Sequence, residues 1–207
     1  MNREIQLQEL SARARNCRIC IEHPIGNPLP HEPRPVFTVS TKAKILIAGQ
    51  APGTKVYESG VPFQDRSGDT LRKWLGVDRP TFYDPTKFAI LPMGFCFPGQ
   101  DKKGSDLPPR PECAPAWRQQ FLDLMPELKL LLVIGQYAQA WHLGPNRRKT
   151  LTETVADWRN IYDQTENPKI LAMPHPSWRS GIWIKKNPWF ETDLLPMLAR
   201  TVRNLIE

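Results

Sequence analysis

The chain has 207 residues, 40% of them hydrophobic and 24% charged, which is an ordinary composition for a soluble globular protein. No apolar run approaches the roughly 18 residues of a membrane span, and the N-terminal stretch lacks the apolar core of a secretion signal. We therefore predict a cytoplasmic monomer with one domain over residues 1–207 and no membrane partner. The net charge of +7 favours an anionic partner such as nucleic acid.

The predicted elements alternate between helix and strand along the chain. Helices are predicted over residues 1–17, from an N-cap at Ser67 to Leu75, and over Pro115–Leu124, Gly135–Leu143 and Glu191–Ile206. Short apolar runs predict strands at Ile45–Ala48, Phe88–Leu91, Leu130–Ile134 and Ile170–Ala172. Because these runs are apolar throughout, the strands should be buried on both faces. The alternation predicts an α/β fold, a parallel sheet with helices on both faces.

Each predicted strand ends in an unusual residue combination. The strands are followed by "GQAPG" at 49–53, "PMGFC" at 92–96, "GQYAQAW" at 135–141 and "PHPSW" at 174–178. Ligands of parallel sheets bind beyond the carboxyl ends of the strands. The sequence therefore predicts a binding site at this edge of the sheet.

The chain contains four cysteines, Cys17, Cys20, Cys96 and Cys113. Buried free thiols are one interpretation, and disulfides are not expected in the cytoplasm. The C-x₂-C pair and the two later cysteines also fit a site with four sulfur ligands. Spacing alone does not separate zinc from an iron–sulfur cluster.

The excess positive charge is concentrated in the last third of the chain. It lies in Asn146–Lys149 and in Arg179–Lys186, where basic residues alternate with Ile182, Trp183 and Ile184. Basic residues mixed with aromatic ones suit a surface that meets both phosphates and bases. We therefore expect DNA, double- or single-stranded, as the partner.

These motifs together resemble the uracil-DNA glycosylase superfamily, and most closely its iron–sulfur-containing family four. "ARNCRIC" is similar to that family's N-terminal helix and first two cluster cysteines, and "GFCFPG" and "PRPEC" to the segment with the other two. "GQAPG" followed by "GVPF" resembles motif one. "HPSW" followed by "KNPWF" resembles motif two, with a further likeness to the single-strand-selective monofunctional glycosylases.

The resemblance implies a three-layer α/β/α sandwich with a central four-stranded parallel sheet. It also implies a [4Fe–4S] cluster on the four cysteines, with zinc as the lesser alternative. The activity implied is base excision, in which the enzyme flips a damaged base out of the duplex before cleaving its glycosidic bond.

The resemblance assigns roles to several residues of the two motifs. Phe63 would stack on the flipped base, and His175 would donate a hydrogen bond to the uracil O2 as negative charge builds on the departing base. Ser177 would hold a phosphate. Arg179 lies where the family has a wedge residue that fills the hole left by the base, and Trp178 would stack on bases nearby.

Several positions depart from the family pattern. Gln50 replaces the family-four motif-one glutamate, and Ala51 replaces the water-activating aspartate of family one. Pro92 lies where family four has a base-reading asparagine. Gly53 replaces the family-one tyrosine that blocks the methyl group of thymine, which would leave that wall of the pocket open.

These departures leave two hypotheses. The first is a monofunctional glycosylase that removes uracil or another deaminated base, with Gln50 positioning the water molecule. Asp65 or Glu58 would be the nearby carboxylate. The alternative is a protein of the same fold that binds damaged or single-stranded DNA with little or no turnover.

Overall fold

The computed structural model describes residues 2–177 and 180–207. Its sheet consists of β1 (Ile45–Ala48), β2 (Phe88–Ile90), β3 (Leu130–Ile134) and β4 (Lys169–Met173), in the order β2-β1-β3-β4. All the strand pairs are parallel, with Ile45 opposite both Phe88 and Leu130. The four-stranded parallel sheet is therefore confirmed.

The helices in chain order are α1 (Arg3–Arg15), α2 (Ile19–Glu22), α3 (Thr54–Ser59), α4 (Arg66–Leu75), α5 (Arg79–Phe82), α6 (Cys113–Asp123), α7 (Gly135–Leu143), α8 (Leu151–Ala156), α9 (Trp158–Gln164), α10 (Ser180–Lys186) and α11 (Leu195–Ile206). Helices α4 and α11 pack together, as do α1 and α6. No helix in residues 2–177 and 180–207 is long and apolar enough to cross a membrane.

The sheet is covered on both faces. Every residue of β1, β2 and β3 is buried, and successive residues of a strand point to opposite faces. Helices must therefore lie on each side, which gives the three-layer α/β/α sandwich that the sequence predicted. The first two residues of β4 are only half-buried, whereas β2, at the other edge of the sheet, is buried throughout.

Several helix ends differ from the sequence predictions. Helix α1 is two residues shorter at each end than predicted, α6 begins two residues before Pro115 and ends one residue before Leu124, and two further differences have a local cause. Helix α4 is capped by Asp65 rather than Ser67, since the Asp65 carboxylate accepts the backbone N–H of Gly68 at 3.1 Å. The predicted helix Glu191–Ile206 begins with a wide π turn over Phe190–Leu194, and regular helix starts at Leu195. Pro196 explains the interruption, because it has no N–H to donate to the preceding turn and its ring crowds that turn.

Candidate functional site

A cavity of about 90 Å³ opens at the carboxyl edge of the sheet. Its walls come mainly from the segments that follow β1, β2 and β4. They include all the residues predicted to contact the substrate: Gln50, Ala51, Gly53, Phe63, Pro92 and His175. The residues after β3 are arranged differently, because α7 begins at Gly135 directly after that strand.

The segments after β1 and β2 stay paired beyond the ends of the strands. Leu91 and Met93 donate their backbone N–H groups to the carbonyls of Ile47 and Gly49, at 3.0 and 2.9 Å. The residue between the two donors is Pro92, which lines the cavity. Because the pairing uses only the residues on either side, a proline fits here without the loss of a bond to β1.

Phe63 is held in a strained conformation at the cavity. Its φ is +53°, a left-handed value that costs a residue with a side chain about 1–3 kcal/mol. The Tyr83 hydroxyl donates to the carbonyl of Pro62 at 2.9 Å and lies 3.2 Å from the carbonyl of Phe63, and Phe82 meets the ring edge-on. A Cβ on Gly49 would lie 3.5 Å from the tip of the Phe63 ring, so the ring lies against the end of β1.

A hairpin over residues 99–107 closes against the motif-one loop. The Gln50 amide nitrogen donates to the carbonyl of Leu107 at 3.3 Å. Gln100 donates to the carboxylate of Asp106 at 3.1 Å and to the hydroxyl of Thr54 at 3.4 Å. The amide nitrogen of Gln50 therefore holds the hairpin, and the predicted role of Gln50 in positioning a water molecule stays a prediction.

Asp106 brings a carboxylate to the cavity that sequence reasoning missed. One of its oxygens would lie 3.2 Å from a Cβ on Gly53, so the wall predicted to be open is lined by this carboxylate. Asp65 also lines the cavity, but one of its oxygens accepts from the Ser67 hydroxyl at 2.6 Å and from the start of α4. Glu58 is exposed on α3 and is not among the residues that form the walls.

His175 follows β4 at the mouth of the cavity. The Gln139 side chain on α7 donates to the carbonyl of Met173 at 3.0 Å, which fixes the end of the strand. Solvent reaches the imidazole, yet the protein packed around it lowers its pKa, and the negative charges of Asp65 and Asp106 oppose this shift only in part. His175 is therefore neutral at neutral pH, with one N–H to donate.

Of the predicted DNA-binding residues, Trp178 and Arg179 lie outside the described residues. Ser177 is half-buried, and its carbonyl accepts the backbone N–H of Ser180 at 3.0 Å at the start of α10.

The two basic stretches of the sequence are brought together by a tryptophan. Trp183 on α10 donates its indole N–H to the hydroxyl of Thr152 on α8 at 2.8 Å, and α8 follows directly after Asn146–Lys149. The ring of Trp183 also packs edge-on against Trp189 and Phe190. Its place is therefore in a packed aromatic cluster rather than in an open stacking surface.

All four cysteines line a second, small cavity of about 20 Å³. The backbone N–H of Phe95 points at the sulfur of Cys113 and the indole N–H of Trp117 at that of Cys17, both at 3.3 Å. Burial raises the pKa of Cys113 to about 12, and that of Cys96 is raised still further by the same cause. Within residues 2–177 and 180–207, no three His, Cys, Asp or Glu side chains are arranged to hold a single metal ion.

One protein-family model matches the part of the chain that forms the cavity. The family model described as the uracil DNA glycosylase superfamily matches residues 36–199. The matched region contains the whole cavity at the carboxyl edge, together with Cys96 and Cys113, and it begins after Cys17 and Cys20. The match spans most of the chain, and the protein therefore belongs to the uracil-DNA glycosylase superfamily.

Proposed function

We propose that this protein is a monofunctional DNA glycosylase that hydrolyses the N-glycosidic bond of uracil or another deaminated base in DNA. Members of its superfamily are glycosylases that act on DNA, which supports both the enzyme class and the partner. The observation that carries the proposal is the composition of one cavity. An aromatic ring, a neutral imidazole and a free carboxylate edge meet there in Phe63, His175 and Asp106.

The cavity receives a base only after that base has left the stack. The glycosidic bond is inaccessible inside a duplex, so the nucleotide must be turned out. The ring of Phe63 then offers a stacking face, and its strained backbone is held by Tyr83 and α4 so that the face is fixed before the base arrives. A fixed ring spares the complex the entropy of ordering it.

His175 supplies the donor for the departing base. As the bond between the sugar and the base breaks, its electron pair passes to the base, and negative charge builds on the base oxygens. A neutral imidazole donates to that charge without taking up a proton first, which agrees with the lowered pKa. A single donor of this kind contributes about 10²–10³ to the rate in comparable sites.

We assign the proton of the attacking water to Asp106; Asp65, which also lines the cavity and likewise has one oxygen engaged, is the alternative carboxylate. The water oxygen bonds to C1′ of the sugar, and one water proton passes to the Asp106 carboxylate while the base leaves with the bonding pair. Gln100 fixes one carboxylate oxygen, and the other faces the backbone of Gly53 at the cavity wall. The hairpin thus provides the carboxylate that is absent at positions 50 and 51.

DNA would lie across the carboxyl edge of the sheet. Lys102 and Lys103 are exposed at the tip of the hairpin that carries Asp106, and they suit contacts with phosphates beside the flipped nucleotide. We assign the phosphate contact of motif two to Ser177, the wedge to Arg179 and stacking to Trp178, in accordance with the sequence motif.

The four-cysteine cavity is proposed to hold a [4Fe–4S] cluster, which would place the chain nearest family four of its superfamily. Cys17, Cys20, Cys96 and Cys113 form an all-thiolate donor set, and the two N–H groups aimed at sulfur are contacts that stabilise thiolates. Such a cluster is proposed to tie the N-terminal helices to the loop after β2 and to α6. Four irons per chain and broad absorption at about 400 nm would support the cluster, whereas stoichiometric zinc without iron would exclude it.

The decisive experiment incubates the protein with oligonucleotides that carry uracil, hypoxanthine, xanthine or a mismatched thymine, and then cleaves the abasic sites. The proposal expects strand breaks from at least one deaminated base. Asp106→Asn should slow single-turnover excision. The matched control is Asp101→Asn, because Asp101 lies in the same hairpin and, among the described residues, its carboxylate accepts only N–H groups of its own turn.

The alternative function is binding of damaged or single-stranded DNA without turnover. It would be supported if no base were released while a lesion-bearing oligonucleotide still bound more tightly than an undamaged one. That result would overturn the enzyme proposal.

A further inference from the structure

The hairpin that carries Asp106 lies along the chain between two of the four cysteines. A backbone hydrogen bond from the N–H of Leu107 to the carbonyl of Gly99, at 2.9 Å, closes the hairpin. Cys96 precedes this hairpin by three residues and Cys113 follows it by six. Both cysteines line the small second cavity, so the chain enters the hairpin from one wall of that cavity and returns to another.

A second stretch of chain, residues 24–35, also connects the cavity with the hairpin, and we call it the linking segment. It follows α2, which contains Cys20. Leu29 is buried in one cluster with Cys20 and Cys96, and its backbone N–H donates to the carbonyl of Cys20 at 3.0 Å. The linking segment therefore packs directly on cysteines from two distant parts of the chain.

An ion pair in the wall of the cysteine cavity holds the start of the linking segment. Arg110 and Glu112 both line that cavity, and their side chains are 2.5 Å apart. The Glu112 carboxylate accepts the backbone N–H of Ile25 at 2.6 Å, and Arg110 donates to the carbonyl of Asn27 at 2.8 Å. Hydrogen bonds that involve charged groups are roughly twice as strong as neutral ones. The start of the segment is therefore fixed to the cavity wall.

The other end of the linking segment packs against the hairpin and the chain that leads into it. Pro30 lies 3.4 Å from the position of a Cβ on Gly99. The ring of His31 stacks on that of Phe97, with the centroids 5.5 Å apart and the planes inclined by 12°, and it also meets Tyr57 of α3 at 4.8 Å. Stacked rings attract each other beyond the effect of the area that they bury. His31 therefore fixes the chain at the entry to the hairpin.

We infer that the linking segment ties the position of the Asp106 carboxylate to the walls of the four-cysteine cavity, and that His31 is the positioning residue at its hairpin end. The inference deepens the proposed function, because it rests on the role given there to Asp106. His31 is not among the described residues that line the base pocket, so it acts on the pocket through the hairpin. A displacement of Leu29 at the cavity passes along the segment to His31 and moves the hairpin.

The test compares His31→Ala, which removes the stacked ring, with His31→Phe, which keeps a ring on Phe97. Leu29→Ala loosens the other end of the linking segment, and its combination with His31→Ala tests whether both ends act through one path. The matched control is His23→Ala, since His23 is an exposed histidine at the end of α2, directly before the linking segment.

Two kinds of measurement are made on the protein as purified. Backbone hydrogen exchange is followed at Asp101 and Leu107, whose N–H groups donate within the hairpin, and in β3 as the reference for global opening. The single-turnover rate of excision and the Kd for uracil-containing DNA are measured with the same proteins.

In His31→Ala, the two hairpin amides should exchange at least about tenfold faster than in wild type while β3 is unchanged, and excision should slow with the Kd held within about twofold. His31→Phe and His23→Ala should stay within about threefold of wild type in both measurements. Leu29→Ala should also speed exchange in the hairpin. The double variant should fall short of the product of the two single effects, because both act on one path.

The exchange data decide the inference without any substrate. If His31→Ala speeds exchange in β3 by the same factor as in the hairpin, His31 is a general stabilising contact and the inference is overturned. Hairpin exchange that is unchanged in Leu29→Ala, or single effects that multiply in the double variant, would overturn the tie to the cysteine cavity.

The two kinds of measurement also separate the inference from the proposed function. Absence of base excision together with the expected exchange pattern would overturn the proposed function and leave the tie between cavity and hairpin supported. Normal excision and an unaffected hairpin in His31→Ala would overturn the inference alone.

Discussion

Replacement of Gly68 by alanine tests how α4 holds the stacking residue of the pocket. Gly68 lies in the first turn of α4, and a Cβ there would stand 1.9 Å from the carbonyl oxygen of Phe63. Real Cβ contacts essentially never fall below 3.0 Å, so the helix and the Phe63 backbone would have to separate. The obstacle is backbone that is already in a left-handed conformation, which cannot turn away as a flexible side chain would.

Two opposing effects decide the magnitude. Alanine in place of glycine within a helix normally stabilises it by about 1 kcal/mol. Overpacking of a close-packed site costs about 1–3 kcal/mol, and a clash with backbone belongs at the upper end of that range. We therefore expect Gly68→Ala to lower the free energy of unfolding by about 2 kcal/mol.

The measurement is urea unfolding, with Gly181→Ala as the control. Gly181 is also helical, and among the described residues nothing lies within 4 Å of the position of its Cβ, so its replacement should be neutral or stabilising. In a uracil-excision assay, Gly68→Ala should also weaken substrate binding, because the Phe63 ring is displaced. A Gly68→Ala protein as stable as wild type would show that α4 does not press on Phe63 as described.

Other consequences of the structure can be checked in the same preparations. His175→Ala should lower the single-turnover excision rate by about 10²–10³ while DNA affinity changes little, because the donor acts on charge that develops in the transition state; equal rates would exclude this role. His142 has a folded pKa of about 3, below its ordinary value of 6.5, because it is buried beside the Arg118 guanidinium, so the unfolded chain binds the proton first and stability falls as the pH drops through that window. The loss should approach roughly 1.4 kcal/mol per pH unit, and acid titration of His142→Gln should give a flatter curve than wild type. DNA affinity should fall steeply with salt, and joint replacement of Lys102 and Lys103 by alanine should reduce the log–log slope by about 1–2; an unchanged slope would place both lysines away from the DNA.

The strands of the sheet could be predicted from the sequence because most of them are buried on both faces. Continuous apolar runs gave the bounds of β1 and β3 as the structure has them, Ile45–Ala48 and Leu130–Ile134. The edge strand β4 was predicted one residue too short at each end: Lys169 breaks the apolar pattern at its start, and Met173, which is apolar and buried, was left out at its end. Lys169 nevertheless belongs to the strand, because it pairs with Leu130 of β3.

The pocket could be predicted only as far as its motifs lie next to the strands. Gln50, Phe63 and His175 are placed by the strands and turns beside them, and they line one cavity as expected. Asp106 could not be found in this way, because it reaches the pocket through a hairpin closed by contacts with Gln100 and Gln50. Nothing in the local sequence of such a loop fixes the direction in which it folds.

The pairing of Leu91 and Met93 with the chain after β1 gives position 92 an unusual freedom. Its side chain lines the pocket, yet its backbone N–H is not required by the sheet, so even an imino acid is accommodated there. Under the proposed function, a substitution at this position could change base preference while the pairing of the sheet stays intact. The residue at this wall of the pocket and the residues that build the sheet can therefore change independently of each other.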